Sequence, residues 1–106
     1  MNKISDIKLA AKLIQLRDSA KTRGIVFNIS LAKLRRLMNQ KACYFTGIEF
    51  EATGDNQRTI DRVDTNAGYT DDNIVACTRR INGLKANLTS AEITGLYKGL
   101  IKHNKK

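Results

Sequence analysis

Residues 59–85 read TIDRVDTNAGYTDDNIVACTRRINGLK, and the order of textures in this stretch decides the fold. Thr59 to Val63 has the β-branched, alternating character of a strand, and Ile74 to Cys77 is a second short apolar strand. Between them, Asp64 to Asp72 is a turn-rich loop containing Asn66 and Gly68. Thr78 then suits the N-cap of a short helix running through Lys85. Strand, loop, strand and helix in that order make a hairpin packed against a helix. Asp61, late in the first strand, and Asn82, on the helix, converge on one side of such a unit. Lys85 follows Asn82 by one helical turn and faces the same way.

The flanks read as helical. Upstream, CYFTGIEF (residues 43–50) is aromatic and β-branched around Gly47, a tight turn or short hairpin, and Gly54, Asp55 and Asn56 form a polar turn. Ser5 and Asp6 cap a first helix whose apolar face is formed by Ile7, Ala10, Ala11 and Ile14 with Leu13, Leu16 and Ala20, ended by Gly24. Lys8, Lys12, Arg17, Lys21 and Arg23 punctuate its other side. Ile25 to Ile29 is a short extended segment. Ser30 caps a second helix with Leu31, Leu34 and Met38 inward and Lys33, Arg35 and Arg36 outward. Downstream, Thr89 and Glu92 form a capping box ahead of a helix with an apolar face of Ile93, Leu96, Tyr97, Leu100 and Ile101, and the tail KHNKK is expected to fray.

Composition limits the partners. A chain of 106 residues supports one small domain with one core. No apolar run approaches the roughly 18 residues of a membrane span, and the segment MNKISDIK lacks the apolar stretch of a signal peptide, so a cytoplasmic location is expected. Cys43 and Cys77 are far apart and outside any C-x-x-C pair, which reads as two isolated core thiols. The net charge is +9, and its distribution is uneven: between Cys43 and Asp72 there are seven acids and two bases, elsewhere three acids and seventeen bases. A basic body that presents a small acidic hairpin is suited to holding a polyanion, because Lys and Arg attract phosphate backbones while carboxylates attract cations. A hard cation such as Mg²⁺ would accept oxygens from Asp61 and Asn82, keep open positions for phosphate oxygens and act as a Lewis acid in phosphodiester hydrolysis.

The pattern resembles the HNH family of endonucleases, whose ββα-metal fold has this order of elements. The resemblance spans Cys43 to Lys85, and Asp-Arg-Val-Asp, Gly-Tyr-Thr and Asn-Ile-Val look like HNH-like proteins common in bacteriophages. It implies Asp61 and Asn82 as metal ligands, Asn73 as the Asn that fixes the loop and Lys85 as the helix lysine. The family's general base, a His, falls on Arg62. A guanidinium stays protonated and takes no proton from water. The base would then be Asp64, a water on the cation or His103, while Arg62 holds phosphate or pairs with Asp61 or Asp64. Cys43-Tyr-Phe-Thr46-Gly47 looks like the zinc knuckle of many members with its second Cys replaced by Thr. Thr78 and Ile81 stand where the second Cys-x-x-Cys would be. Zinc is therefore not expected, and an apolar or hydrogen-bonded substitute should hold the fold.

These readings combine into an α+β chain: a basic helical segment (1–42), an HNH-like ββα-metal core (43–88), and a C-terminal helix with a basic tail (89–106), forming one compact domain. The expected function is binding of nucleic acid, double-stranded DNA foremost, with Mg²⁺- or Mn²⁺-dependent hydrolysis of phosphodiester bonds. Arg62, Asp64 and Asn73 are the catalytic candidates, Asp61 and Asn82 the metal ligands, and Arg62, Arg79, Arg80, Lys85, Lys33, Arg35 and Arg36 the nucleic-acid contacts. The alternative is a catalytically inactive, nuclease-derived module that binds DNA or inhibits a transaction on it. A third reading is a phage factor directed at an acidic host protein.

Overall fold

Each helix starts where a side chain can satisfy its orphan N–H groups. The computed structural model describes residues 3–104. Ser5 Oγ accepts from Lys8 N at the start of α1 (Asp6–Thr22), Ser30 Oγ from Lys33 N at α2 (Leu31–Met38), and Thr78 Oγ1 from Ile81 N at α3 (Arg79–Ala86). The capping box expected at α4 (Ser90–Asn104) is present in both directions, with Thr89 N on Glu92 Oε1 at 2.8 Å and Glu92 N on Thr89 Oγ1 at 3.1 Å. Helix α4 extends through Lys102 and His103, so these tail residues are helical; residues 105–106 of the tail lie outside the described residues.

The strands are β1 (Phe27–Asn28), β2 (Arg58–Arg62), β3 (Tyr69–Thr70) and β4 (Ile74–Thr78). β2 and β4 pair antiparallel with Thr59 opposite Cys77, Ile60 opposite Ala76 and Asp61 opposite Val75. Because side chains alternate along a strand, this register divides the pair between two partners. Ile60, Ile74 and Ala76 enter the core built with Leu9, Leu16 and Ala20 of α1 and Leu34 and Leu37 of α2. Thr59, Asp61 and Cys77 belong to the other face and meet α3. All five residues of β4 are buried, as a strand covered on both faces requires.

Two helical faces differ from expectation. The buried stripe of α1 is Leu9, Leu16 and Ala20 with Leu13 partly covered, while Ile7 and Ile14 point to solvent. On α2, Leu37 is buried beside Leu34 and Leu31 is half exposed. On α1 the Leu9, Leu13, Leu16 and Ala20 stripe lies well round the helix from Ile7 and Ile14, and tertiary packing buried the first; on α2 the buried face is centred on Leu34 and Leu37 with Met38 at its edge. Helix α4 contributes no buried residue, and Leu96, Tyr97, Leu100 and Ile101 are all exposed.

The loop after β2 contains strand β3, which pairs in parallel with β1 through Phe27 opposite Tyr69 and Asn28 opposite Thr70. Tyr69 N donates to Val26 O at 2.8 Å, and Asp71 Oδ1 accepts from Ser30 N at 2.8 Å. The N-terminal helical segment and the hairpin are thereby fastened together. Gly68 is the point of closest approach: a Cβ there would lie 2.7 Å from Val26 O and 2.8 Å from Val26 Cβ. Gly68→Ala is therefore expected to destabilise the chain by about 1–3 kcal/mol, the usual cost of overpacking. Urea unfolding monitored by circular dichroism measures it, and an unchanged midpoint would disprove the close approach.

Candidate functional site

The α3-facing side of β2 places a carboxylate where little water reaches it. Asp61 is 7% exposed, and its Oδ2 receives Lys85 Nζ at 2.5 Å. Lys85 Nζ also donates to Arg62 O at 2.9 Å. Asn82, three residues before Lys85 and on the same face of α3, donates from Nδ2 to Thr59 Oγ1 at 3.2 Å. Cys77 Sγ lies 3.8 Å from Asp61 Oδ2. Burial, with the Asp61 carboxylate adding to it, pushes the Cys77 thiol up to about 11.

Asp61, Asn82 and Lys85 line one cavity of about 600 Å³ together with Arg23, Arg62 and Tyr69. Arg23 and Arg62 both stack on Tyr69, their guanidinium carbons 5.7 and 5.2 Å from the ring centre, and Arg23 Nη2 donates to the Tyr69 hydroxyl at 2.7 Å. The cleft therefore holds three cations against one carboxylate, and that carboxylate is already paired. Such a lining attracts an oxyanion.

The structure redistributes the expected roles. Arg62 pairs with neither Asp61 nor Asp64: its Nη1 donates to Thr65 O and Ala67 O, both at 2.9 Å, and so secures the loop while its side chain borders the cleft. The ion pair with Asp61 is made by Lys85 instead. Asn73 does what the sequence suggests, since its Oδ1 accepts from Asp64 N at 2.9 Å and its Nδ2 donates to Asp64 O at 3.1 Å and Gly68 O at 2.8 Å. Asp64 is exposed, turns its carboxylate to Asn66 N and is outside the lining of the cleft. His103 is exposed near the end of α4 and is likewise outside that lining.

Of the expected nucleic-acid contacts, only Arg62 and Lys85 line this cleft. Arg79 and Arg80 are exposed at the start of α3. Arg35 pairs with Asp6 at 3.0 Å on the surface. Lys33 and Arg36 lie near Asp71, whose carboxyl is held below its ordinary range by the Ser30 N–H first and by these two cations last. Arg23, from the C-cap of α1, is the cleft residue that the sequence reading left as one base of a helical stripe.

At the knuckle-like turn, Gly47 takes φ 74°, a left-handed conformation that glycine adopts without strain. Gly47 N donates to Cys43 O and Cys43 N to Ile48 O, both at 2.9 Å. Burial pushes the Cys43 thiol up, but the Thr46 side chain and the N–H groups of Thr78, Thr46 and Phe45 outweigh it and hold the thiol below its ordinary value. Thr46 Oγ1 accepts from Ile48 N within this turn, and Thr78 Oγ1 accepts from Ile81 N at the start of α3, both at 3.3 Å.

The chain is 26% identical over 87 residues to a protein of Enterobacteria phage T4 named as an uncharacterized 29.0 kDa protein in the dda-modA intergenic region. That match covers 81% of this chain and 35% of the phage protein, so the chain spans about a third of the length of that relative. No family model matches the chain, and no solved structure matches it. Among the described residues no helix is long and apolar enough to cross a membrane.

Removing one partner of a buried ion pair strands the other charge. Lys85→Met is therefore expected to cost about 3–5 kcal/mol, and Lys85→Met combined with Asp61→Leu to recover most of that loss. Chemical denaturation of the two single variants and the double variant measures the coupling; additive losses would show that the contact contributes little. A second expectation concerns alkali. The Cys77 thiol titrates near its ordinary value of 9.0 when unfolded and at about 11 when folded. The unfolded chain loses its proton first, so stability present below that ordinary value falls as pH rises toward the folded one. Cys77→Ala should flatten that alkaline slope in thermal melts, and an identical slope in the variant would refute the assignment.

Proposed function

We propose that the chain is an HNH-like nucleic-acid-binding protein in which the β2–β4–α3 unit forms a phosphate-accepting cleft. The observation that carries this reading is the placement of Lys85 Nζ against Asp61 Oδ2. A primary ammonium occupies the side of the carboxylate where a ββα-metal site would hold its cation. It neutralises Asp61, so that the remaining charge of the cleft, from Arg23 and Arg62, faces an incoming phosphodiester uncompensated. The exposed Arg79 and Arg80 at the start of α3 supply further contacts to a backbone. The resemblance of this region to phage HNH-like proteins and the T4 relative support a phage setting, acting in the host cytoplasm.

The second reading is a divalent-metal-dependent DNA endonuclease, and its supporting observation is that Asp61 and Asn82 border the same cleft. As arranged, the donor set fits Mg²⁺ or Mn²⁺ poorly: its one carboxylate is already paired with Lys85, and beyond it only the Asn82 Oδ1, left free by the Nδ2 bond to Thr59, offers an oxygen. A cation would have to displace Lys85 Nζ from Asp61, and it would then neutralise charge on the phosphodiester. Arg62 takes no proton in that scheme and serves to hold the loop at the edge of the cleft. Asn73 keeps Asp64 and Gly68 in register across the loop base.

Binding to duplex DNA should weaken steeply with salt, with a log–log slope of about −3 to −5 if roughly four or five phosphates are neutralised. Fluorescence anisotropy across a salt series measures it, and salt-independent binding would remove the electrostatic basis of the proposal. Supercoiled plasmid incubated with the protein and Mg²⁺ or Mn²⁺ is expected to be bound and to stay intact. Nicking that disappears in Asp61→Ala and with EDTA would instead establish the endonuclease.

A further inference from the structure

A cavity of about 680 Å³ lies where the start of α1, the end of α2 and the start of β2 meet, and it shares no residue with the Asp61 cleft. Its charged members are Lys3, Lys8 and Arg58, its polar members Ser5 and Asn39, and no carboxylate lines it. Among the described residues none of these three cations is in an ion pair. Like charges gathered round a concavity without a counter-charge raise its potential, and an anion bound there relieves the repulsion.

Arg58 is the centre of the argument. Its guanidinium lies 4.9 Å over the Phe50 ring, and its Nη2 donates to Gln40 O at 2.5 Å. Its Nε is buried without a hydrogen-bond partner, the only such side-chain atom among the described residues. Burial also lowers the Arg58 pKa, the mark of a charge held partly out of water with nothing opposing it. Glu49 lines a separate hollow on Arg58 with Lys41 and Phe50, and makes no ion pair with it.

The other polar groups are donors or are committed. Asn39 Oδ1 already accepts from Ile4 N at 2.9 Å, which leaves its Nδ2 as the amide's donor. Ser5 caps α1, a helix of 17 residues whose positive end adds to the field. A lining rich in donors and free of carboxylates selects for an oxyanion over a cation or a neutral ligand.

We propose that the cavity between α1, α2 and β2 binds a phosphate group through Lys3, Lys8 and Arg58. The phosphate could come from a nucleic-acid backbone, because Arg58 and Arg62 share a strand face about 13 Å apart at ~3.3 Å per residue. It could equally be carried by a free mononucleotide, which presents the same group.

Amide chemical shifts followed by NMR at constant ionic strength test the site, with inorganic phosphate, adenosine monophosphate and a short DNA duplex as separate titrants and chloride as the control. Phosphate should give saturable shifts at Ile4, Lys8 and Asn39. Arg58→Met should weaken that binding about tenfold, the size of one hydrogen bond to a charged group. Lys8→Gln, at an exposed position, should weaken it severalfold and keeps the test decisive if the Arg58 variant fails to fold. Duplex binding at these amides that is tighter than phosphate binding and weakened by Lys8→Gln identifies the backbone as the source. Equal affinity for phosphate and the mononucleotide, with a weaker response to duplex, identifies the free ligand. Shifts that scatter over the lysine-rich surface without saturating, or that persist unchanged in Lys8→Gln, overturn the proposal. Phosphate is titrated without nucleic acid, so failure of the DNA-binding reading would not decide this result.

Discussion

The antiparallel register of β2 and β4 is the constraint on which the molecule depends. With Ile60 opposite Ala76, the apolar side chains of both strands lie on one face, and α1 and α2 close over them. The same register puts Thr59, Asp61 and Cys77 on the opposite face, beneath α3. A slip of one residue would exchange the two sets, driving Asp61 into the apolar core and Ile60 toward α3. The hydrophobic core and the site chemistry are thus specified by one pairing, and neither can change independently.

The long connection between those strands would otherwise be a liability, since loops of this length order themselves only at an entropic cost. Here it is held at three places. Asn73 reaches across its base to Asp64 and Gly68, Arg62 ties Thr65 and Ala67, and β3 pairs with β1. The third tie recruits the N-terminal segment, and with it Arg23, to the edge of the cleft. The C-terminal end of α1, through Ser19 and Arg23, is therefore a wall of the site.

What could be read in the sequence follows from how local each signal is. All four helix caps were legible because a cap needs only a hydroxyl next to a periodic segment, and Asn73 was legible because a short loop amide has few other uses. The α+β class and the strand pair β2–β4 followed from alternation and turn residues. The inward stripe of α1 was legible in part: Leu13, Leu16 and Ala20 of the expected face reach the core, but Ile7 and Ile14 are as apolar as Leu9, and only tertiary packing distinguishes them. The two-residue strands β1 and β3 carry too few residues to show a period. The partner of Asp61 was also hidden. Arg62 is its sequence neighbour, but adjacent strand residues point to opposite faces, so the cation that reaches the carboxylate comes from α3, 24 residues away.

On the proposed HNH-like reading, that geometry changes what an arginine after Asp61 means. The residue after Asp61 projects from the opposite face of the strand, and Arg62 is engaged with the loop carbonyls and with Tyr69. An arginine there neither fills nor blocks the carboxylate. Lys85 determines the state of the cleft, because its ammonium contacts Asp61 and the Arg62 carbonyl together. A buried pair of this kind costs desolvation of both charges, and that cost is offset only while both partners stay in place. The chain therefore has a strong physical reason to keep Lys85 on Asp61, and any cation seeking the carboxylate must compete with a tethered ammonium at very high local concentration. On the proposed reading, that competition would decide whether the cleft takes an anion or a metal.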